Sequence, residues 1–196
     1  YAESYAYARG PLDPKTAYID ESHEDWIKEK VSIDVGYNNE RMDVLIFRPK
    51  NVTGNLESVI LYPGLNYFTA PPGIDEVGPG DLGFDFVVKS GRALVWPAIS
   101  GSLNRIDDPL LATPTTDEQF DRFRHRMTRW RVDTGRVIDY LEARGDFDLS
   151  NINYMGMSFG ALYTPVVLAF EPRFNSVVLL SGGFDPSKPP RDEGWV

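Results

Sequence analysis

Cysteine is absent from the 196 residues, so disulfides and thiolate metal sites are excluded. Its absence fits either side of a membrane and leaves the compartment open, with the cytoplasm slightly favoured. Histidine is scarce: His23 and His125 are the only two, far apart in the chain, so no metal spacing exists and neither a metal nor a cofactor is expected. A basic excess is also missing. The net charge is −9 with no Lys/Arg run, which argues against nucleic acid or an anionic membrane as partner and reads as solubility. No apolar run is long enough to span a bilayer, and Tyr1–Gly10 has neither the basic start nor the apolar stretch of a signal peptide. Gly78-Pro79-Gly80-Asp81 lacks the lysine and the helix of a phosphate-binding loop. An initiating methionine is missing too, and the sequence stops at Val196 just past a Pro-rich turn. Both ends are expected to be cuts in a longer protein.

What is present alternates. Residues 1–29 are polar and aromatic with little periodicity and are expected to form an irregular arm, with a short helix around Glu24–Lys28. A single domain is expected over 30–196. Lys30–Val35 and Met42–Phe47 alternate apolar and polar residues around the turn Tyr37-Asn38-Asn39-Glu40, which predicts an antiparallel hairpin. Ser58–Tyr62, Ala93–Trp96 and Ser176–Leu180 are continuous apolar runs, the pattern of strands buried on both faces. A short helix over Phe84–Ser90 should stop at Gly91. A long one should open at Thr116, with Gln119 completing a capping box, and run to Arg144 before Gly145. Arg122, Arg124, Arg126, Arg129 and Arg131 on that helix are expected to pair with its own Asp117, Glu118, Asp121 and Asp133. The order predicts an α/β fold: a mostly parallel sheet flanked by helices, led by the hairpin.

The chemistry concentrates at Ile152–Gly160. A short strand runs into Gly156-Met157-Ser158-Phe159-Gly160, followed by an apolar helix that Pro165 should kink. Gly-x-Ser-x-Gly at a strand-to-helix turn is a nucleophile elbow: the serine takes a strained backbone conformation, and its neighbours two residues away must be small. Ser158 is thus the candidate nucleophile; the competing reading is a serine that merely caps the following helix. An oxyanion would need two backbone N–H groups, one from Phe159 and one from Leu65, in the loop after the first buried strand, where Gly64 permits a tight turn. Tyr67–Asp81 and Ser100–Thr115 would wall the substrate pockets, with Asn66, Tyr67 and Trp96 on the substrate side. Neither His23 nor His125 follows Ser158, and both read as solvated residues. Asp185 is the one candidate acid, with a turn-forming Asp before Pro186 as the alternative.

Strand-Pro63-Gly64, strand-Trp96-Pro97 and strand-Gly156-Met157-Ser158-Phe159-Gly160, in this order, resemble the α/β-hydrolase superfamily. Phe86–Val95, and Glu171-Pro172-Arg173-Phe174 before a Val/Leu strand and Gly182-Gly183, resemble the esterase-like, dienelactone-hydrolase-type domains of bacterial proteins. The resemblance covers roughly Lys30–Phe184. It implies a serine hydrolase of small carboxylic esters working through an acyl-enzyme. In some such proteins the domain is joined to a serine/threonine kinase, so further domains of the same parent chain are possible partners. The resemblance also implies an acid and then a histidine after the nucleophile. The expectation is therefore that the C-terminal strands bearing them are missing and that this chain alone is nearly inactive, with an exposed apolar sheet edge. A non-catalytic hydrolase-like binding module is the alternative.

Overall fold

The structure is a computed structural model that describes residues 6–106, 116–162 and 164–182. Seven strands form one sheet: β1 Lys15–Asp20, β2 Trp26–Asp34, β3 Arg41–Pro49, β4 Leu56–Tyr62, β5 Ala93–Pro97, β6 Phe147–Met157 and β7 Ser176–Leu180. Their spatial order is β1-β2-β3-β5-β4-β6-β7. β1, β2, β3 and β5 pair antiparallel in succession, while β5, β4, β6 and β7 are mutually parallel. Five of the seven strands therefore point the same way. This is the α/β architecture that the alternation predicts, with the antiparallel hairpin at its start.

Five α-helices, α1 Asn66–Thr69, α2 Asp85–Lys89, α3 Asp117–Arg144, α4 Phe159–Leu162 and α5 Thr164–Phe170, and two short 3-10 helices, Pro79–Leu82 and Leu103–Arg105, complete the described chain. The chain steps from β4 to β5 in one direction and then crosses back past β4 to β6. Right-handed crossovers in opposite directions put α2 on one face and α3, α4 and α5 on the other. Accordingly α2 packs on β3 and β5, and α3 packs on β6 and α5. The core is aliphatic and aromatic, with Ile33, Leu45, Ile60, Val95, Trp96, Val137 and Ile138 closed to solvent. α3 opens as the sequence dictates: the Thr116 hydroxyl accepts from Gln119 N–H and Gln119 returns the bond, and Gly145 takes a left-handed φ of 76° to end it.

Three expectations need correction. The stretch before residue 30 is not an irregular arm with a helix: it holds β1 and the start of β2. β1 is an edge strand with almost every side chain in water, so no apolar alternation marks it. In β2 the inward phase is occupied by Glu29, Val31 and Ile33. A buried glutamate breaks the apolar pattern, and it is held there by Arg144 (2.5 Å) and Arg48. The last apolar run does form β7, but not as a buried strand. β7 pairs with β6 alone among the described residues, and Val177, Val178 and Leu179 are 39%, 42% and 41% exposed, the open apolar edge that the sequence also anticipates. The kink expected at Pro165 falls next to residue 163, which lies outside the described residues. Finally, only part of the arginine series pairs within α3. Arg122 meets Glu118 and Arg124 meets Asp121, but Arg131 reaches Glu171 (3.1 Å) and Asp133 receives Arg105 (2.8 Å) from another loop.

Candidate active site

β4 is the switch point of the sheet, because the chain leaves it toward β5 and later returns on its other side as β6. At such a point the loops following two neighbouring strands part, and a crevice opens at the carboxyl rim. The loop after β4 carries Pro63-Gly64-Leu65, and the turn after β6 carries Ser158. The register Tyr62↔Gly156 ends both strands side by side.

Ser158 has φ 49°, a left-handed conformation that a serine adopts only when its surroundings impose it. Those surroundings are backbone. Ser158 N–H donates to Leu180 O (2.7 Å), Gly160 N–H donates to Pro63 O (3.1 Å), and Ser158 O accepts from Ala161 and Leu162 N–H (3.0 Å each). The two flanking glycines are required by contact. A Cβ on Gly156 would lie 2.7 Å from the Gly160 carbonyl oxygen and 2.9 Å from the Tyr154 ring, and one on Gly160 would collide with the Tyr62 backbone. The turn therefore lifts Ser158 out of the sheet, and its side chain is exposed between Met157 and the buried Phe159.

The Pro63–Leu65 loop lies against this turn. A Cβ on Gly64 would sit 3.5 Å from the Met157 methyl and 3.8 Å from Ser158 Cβ. Leu65 follows at φ −57°, capping α1, and no described group accepts from its N–H. The ring of Phe159 packs on Phe68 of α1 (5.0 Å between centroids) and on Trp130 of α3 (5.7 Å), and Phe68 also meets Trp130 (5.4 Å). Trp130 Nε1 in turn donates to Ser100 O (2.7 Å). Three aromatic rings thus bind the two loops and the long helix into one floor beneath Ser158. Sequence analysis singled out Phe159 for its backbone N–H and not for its ring.

The remaining expected site residues divide. Leu65 and Asn66 are exposed beside Ser158, whereas Tyr67 and Trp96 are 3% and 0% exposed and meet edge-on at 5.0 Å. Trp96 and Tyr67 are therefore packed in the interior and present no ring to solvent, which residue type alone does not reveal. Burial pushes the Tyr67 hydroxyl above its ordinary pKa. His23 is half-buried in the β1–β2 turn, where it stacks on Trp26 (3.3 Å) and accepts from Asp25 N–H. That turn is at the amino rim, opposite Ser158. His125 is exposed on α3, about 140° around the helix from Trp130. Neither imidazole is placed to serve Ser158. Asp185 and residues 107–115 of the expected second wall lie outside the described residues. Among the described residues no group of three or more His, Asp or Glu could hold a metal ion, and no helix is long and apolar enough to cross a membrane.

A buried polar network stiffens the other wall. Asp133, fully buried on α3, accepts from Tyr37 OH (2.7 Å), Ser100 N–H (2.8 Å) and Arg105 (2.8 Å), and Arg105 also binds Glu40 (2.9 Å). The turn between β2 and β3 and the loop after β5 are thereby fixed to α3. Sequence reasoning missed this role, since nothing local distinguishes Asp133 from the solvated acids earlier in the helix.

No protein-family model matches the sequence, and no curated protein matches it. Solved structures do. A candidate acetyl xylan esterase from Bacteroides fragilis superposes with a TM-score of 0.67 at 14% identity, over 89% of this chain and 49% of that one. A glucuronoyl esterase from Solibacter usitatus gives 0.60 at 16% identity, over 88% and 52%. A dienelactone hydrolase-like promiscuous phosphotriesterase from metagenomic libraries gives 0.58 at 15%, over 84% and 62%. The chain has the α/β-hydrolase fold. It spans about half the length of the first two of these structural relatives.

Proposed function

We propose that the chain is the nucleophile-bearing part of a serine-dependent carboxylic-ester hydrolase. The observation that carries this reading is the backbone at Ser158: φ 49°, side chain exposed, flanked by two glycines that admit no Cβ. Evolution retains such strain where it presents a reacting group. The esterases among the structural relatives support the same chemistry.

In this mechanism the ester carbonyl lies over Ser158 with its oxygen toward the N–H groups of Leu65 and Phe159. Ser158 Oγ attacks the acyl carbon as its proton passes to a base. The oxyanion is held by the two amides, and its collapse expels the alcohol, which takes up that proton. Water then attacks the acyl-enzyme by the same route, releasing the acid and restoring the hydroxyl. Because Ser158 N–H is engaged by Leu180 O, the serine's own amide takes no part in binding the oxyanion. With His23 and His125 both placed elsewhere, the base and its orienting acid are supplied from outside the described residues. The parent protein acts on small esters, and residues 1–196 alone turn over at no more than the residual rate that binding and an oxyanion hole provide, roughly 10³–10⁴-fold above water.

The test is labelling of the full-length parent protein with a fluorophosphonate. Adduct on Ser158, lost in Ser158→Ala, is the expected result; a folded parent with no adduct defeats the proposal. The placement of both histidines favours one second reading, a hydrolase-like module that binds a ligand without turning it over. In that case Ser158→Ala leaves ligand binding unchanged and the parent shows no esterase activity.

A further inference from the structure

α3 carries a glycine at its centre. Gly135 is a poor helix residue, and a Cβ there would collide with the ring of Tyr7, from the other end of the sequence. Tyr7 lies in this notch with both of its ends recognised. Its hydroxyl donates to Asp139 (3.1 and 3.2 Å to the two oxygens) and accepts from Arg173 (2.9 Å), and the Arg131 guanidinium stands 4.9 Å from the ring centre. Two residues on, Arg9 binds Glu142 (2.8 Å) and approaches Asp139 (3.4 Å). Arg136, itself 1% exposed, takes the carbonyls of Gly10 (2.8 Å) and Pro11 (2.6 Å). Yet residues 6–14 contribute little to the core: apart from the half-buried Tyr7 and Leu12, every one of them is exposed.

We propose that this face of α3, with Arg173, is a recognition groove for a Tyr-x-Arg segment, and that the chain's own residues 6–11 occupy it as a detachable clasp. One ring and a set of polar contacts hold the segment, so it leaves as a unit without opening the sheet. Its departure is felt at a distance. Arg173 also bonds Glu171, Asp139, Glu142 and the Gly135 carbonyl, and Glu171 bonds Arg131. This knot lies directly before β7, whose Leu180 carbonyl holds the Ser158 amide. Clasp occupancy therefore sets the order of β7 and of the turn at Ser158. The proposal does not depend on ester hydrolysis.

The full chain tests it by a reversal of sign. In the native chain, Gly135→Ala evicts the Tyr7 ring and lowers the melting temperature. In a Tyr7→Ala background the notch is empty, the better helix former wins, and the same substitution raises it. An increase in both backgrounds overturns the clasp. Tyr7→Leu, which keeps apolar bulk near the backbone and removes the outer ring atoms that meet Gly135, serves in the same cycle if Tyr7→Ala does not fold. Amide exchange supplies the distal readout: residues 174–181 exchange at least tenfold faster in Tyr7→Ala while β2 and β3 do not change, and an unchanged 174–181 overturns the coupling. A labelled peptide of residues 6–12 binds the Tyr7→Ala chain saturably and the native chain at least tenfold more weakly. Equal binding to both, or to neither, overturns the groove.

Discussion

At the scale of single residues, the site is made by atoms that are missing. Gly156 and Gly160 let two backbones meet, and the cost of adding one methyl measures how closely. Gly156→Ala must push the Gly160 carbonyl or the Tyr154 ring aside and is expected to cost about 2 kcal/mol, read by urea unfolding. The two buried tryptophans make a paired prediction. Trp130 Nε1 donates to Ser100 O, whereas Trp96 Nε1 is buried with no partner among the described residues. Both Trp→Phe changes leave a similar void. Trp130→Phe also breaks a buried bond and should be the costlier by about 1 kcal/mol or more, measured as the difference between the two unfolding free energies. From sequence both residues are simply large and aromatic, and only the surroundings separate their roles.

Elements add a second kind of dependence, because α3 binds its surroundings through charges. Burial opposes charge on Glu40, Asp146 and Glu171, but hydrogen bonds from Arg105, Arg144 and Arg173 outweigh it and hold each carboxyl below its ordinary range. A carboxyl with a lowered folded pKa binds its proton more tightly when unfolded. Its stabilising effect is present above the ordinary value of about 4 and is lost as pH falls through the folded one. Acid should therefore unfold the chain steeply. Glu171→Gln, which strands Arg131 and Arg173, should cost about 3 kcal/mol at pH 7, and the variant's stability should converge on that of the native chain as pH falls through the carboxyl's lowered folded pKa. Unfolding curves across pH 3–7 check both. These ties also show which elements were legible. α3, β3, β4, β5 and the Ser158 turn follow from caps, glycines and apolar runs, all local signals. β1 and the start of β2 do not, because an edge strand needs no apolar face and Glu29 is stabilised by arginines distant in sequence.

The whole molecule is a sheet with two unlike edges. Among the described residues β1 ends the antiparallel side with Lys15, Thr16 and Asp20 interspersed with the exposed Ile19, whereas β7 ends the parallel side with the contiguous run Val177, Val178 and Leu179 partly exposed. Polar edges discourage pairing between molecules and apolar ones invite it. Val178→Lys should lower self-association in light scattering and shift stability by less than about 0.5 kcal/mol. Legibility was divided at this scale too. The strand count on the parallel side could be read from the apolar runs, and the turn at Ser158 from its flanking glycines. The placement of His23 at the opposite rim could not, since it follows from strand directions that no residue announces.

The order in which strands lie side by side differs from the order in which a ribosome delivers them. β4 is complete at Tyr62, gains β5 by Pro97, and waits for its second neighbour until Phe147–Met157 emerges. Throughout that interval the nascent chain offers one bare flank of a largely apolar strand to solvent or to a chaperone. The turn at Ser158 closes later still, when Leu180 arrives to meet the amide of Ser158. A translational pause placed before residue 147 would lengthen this vulnerable interval, and one placed after residue 180 would not.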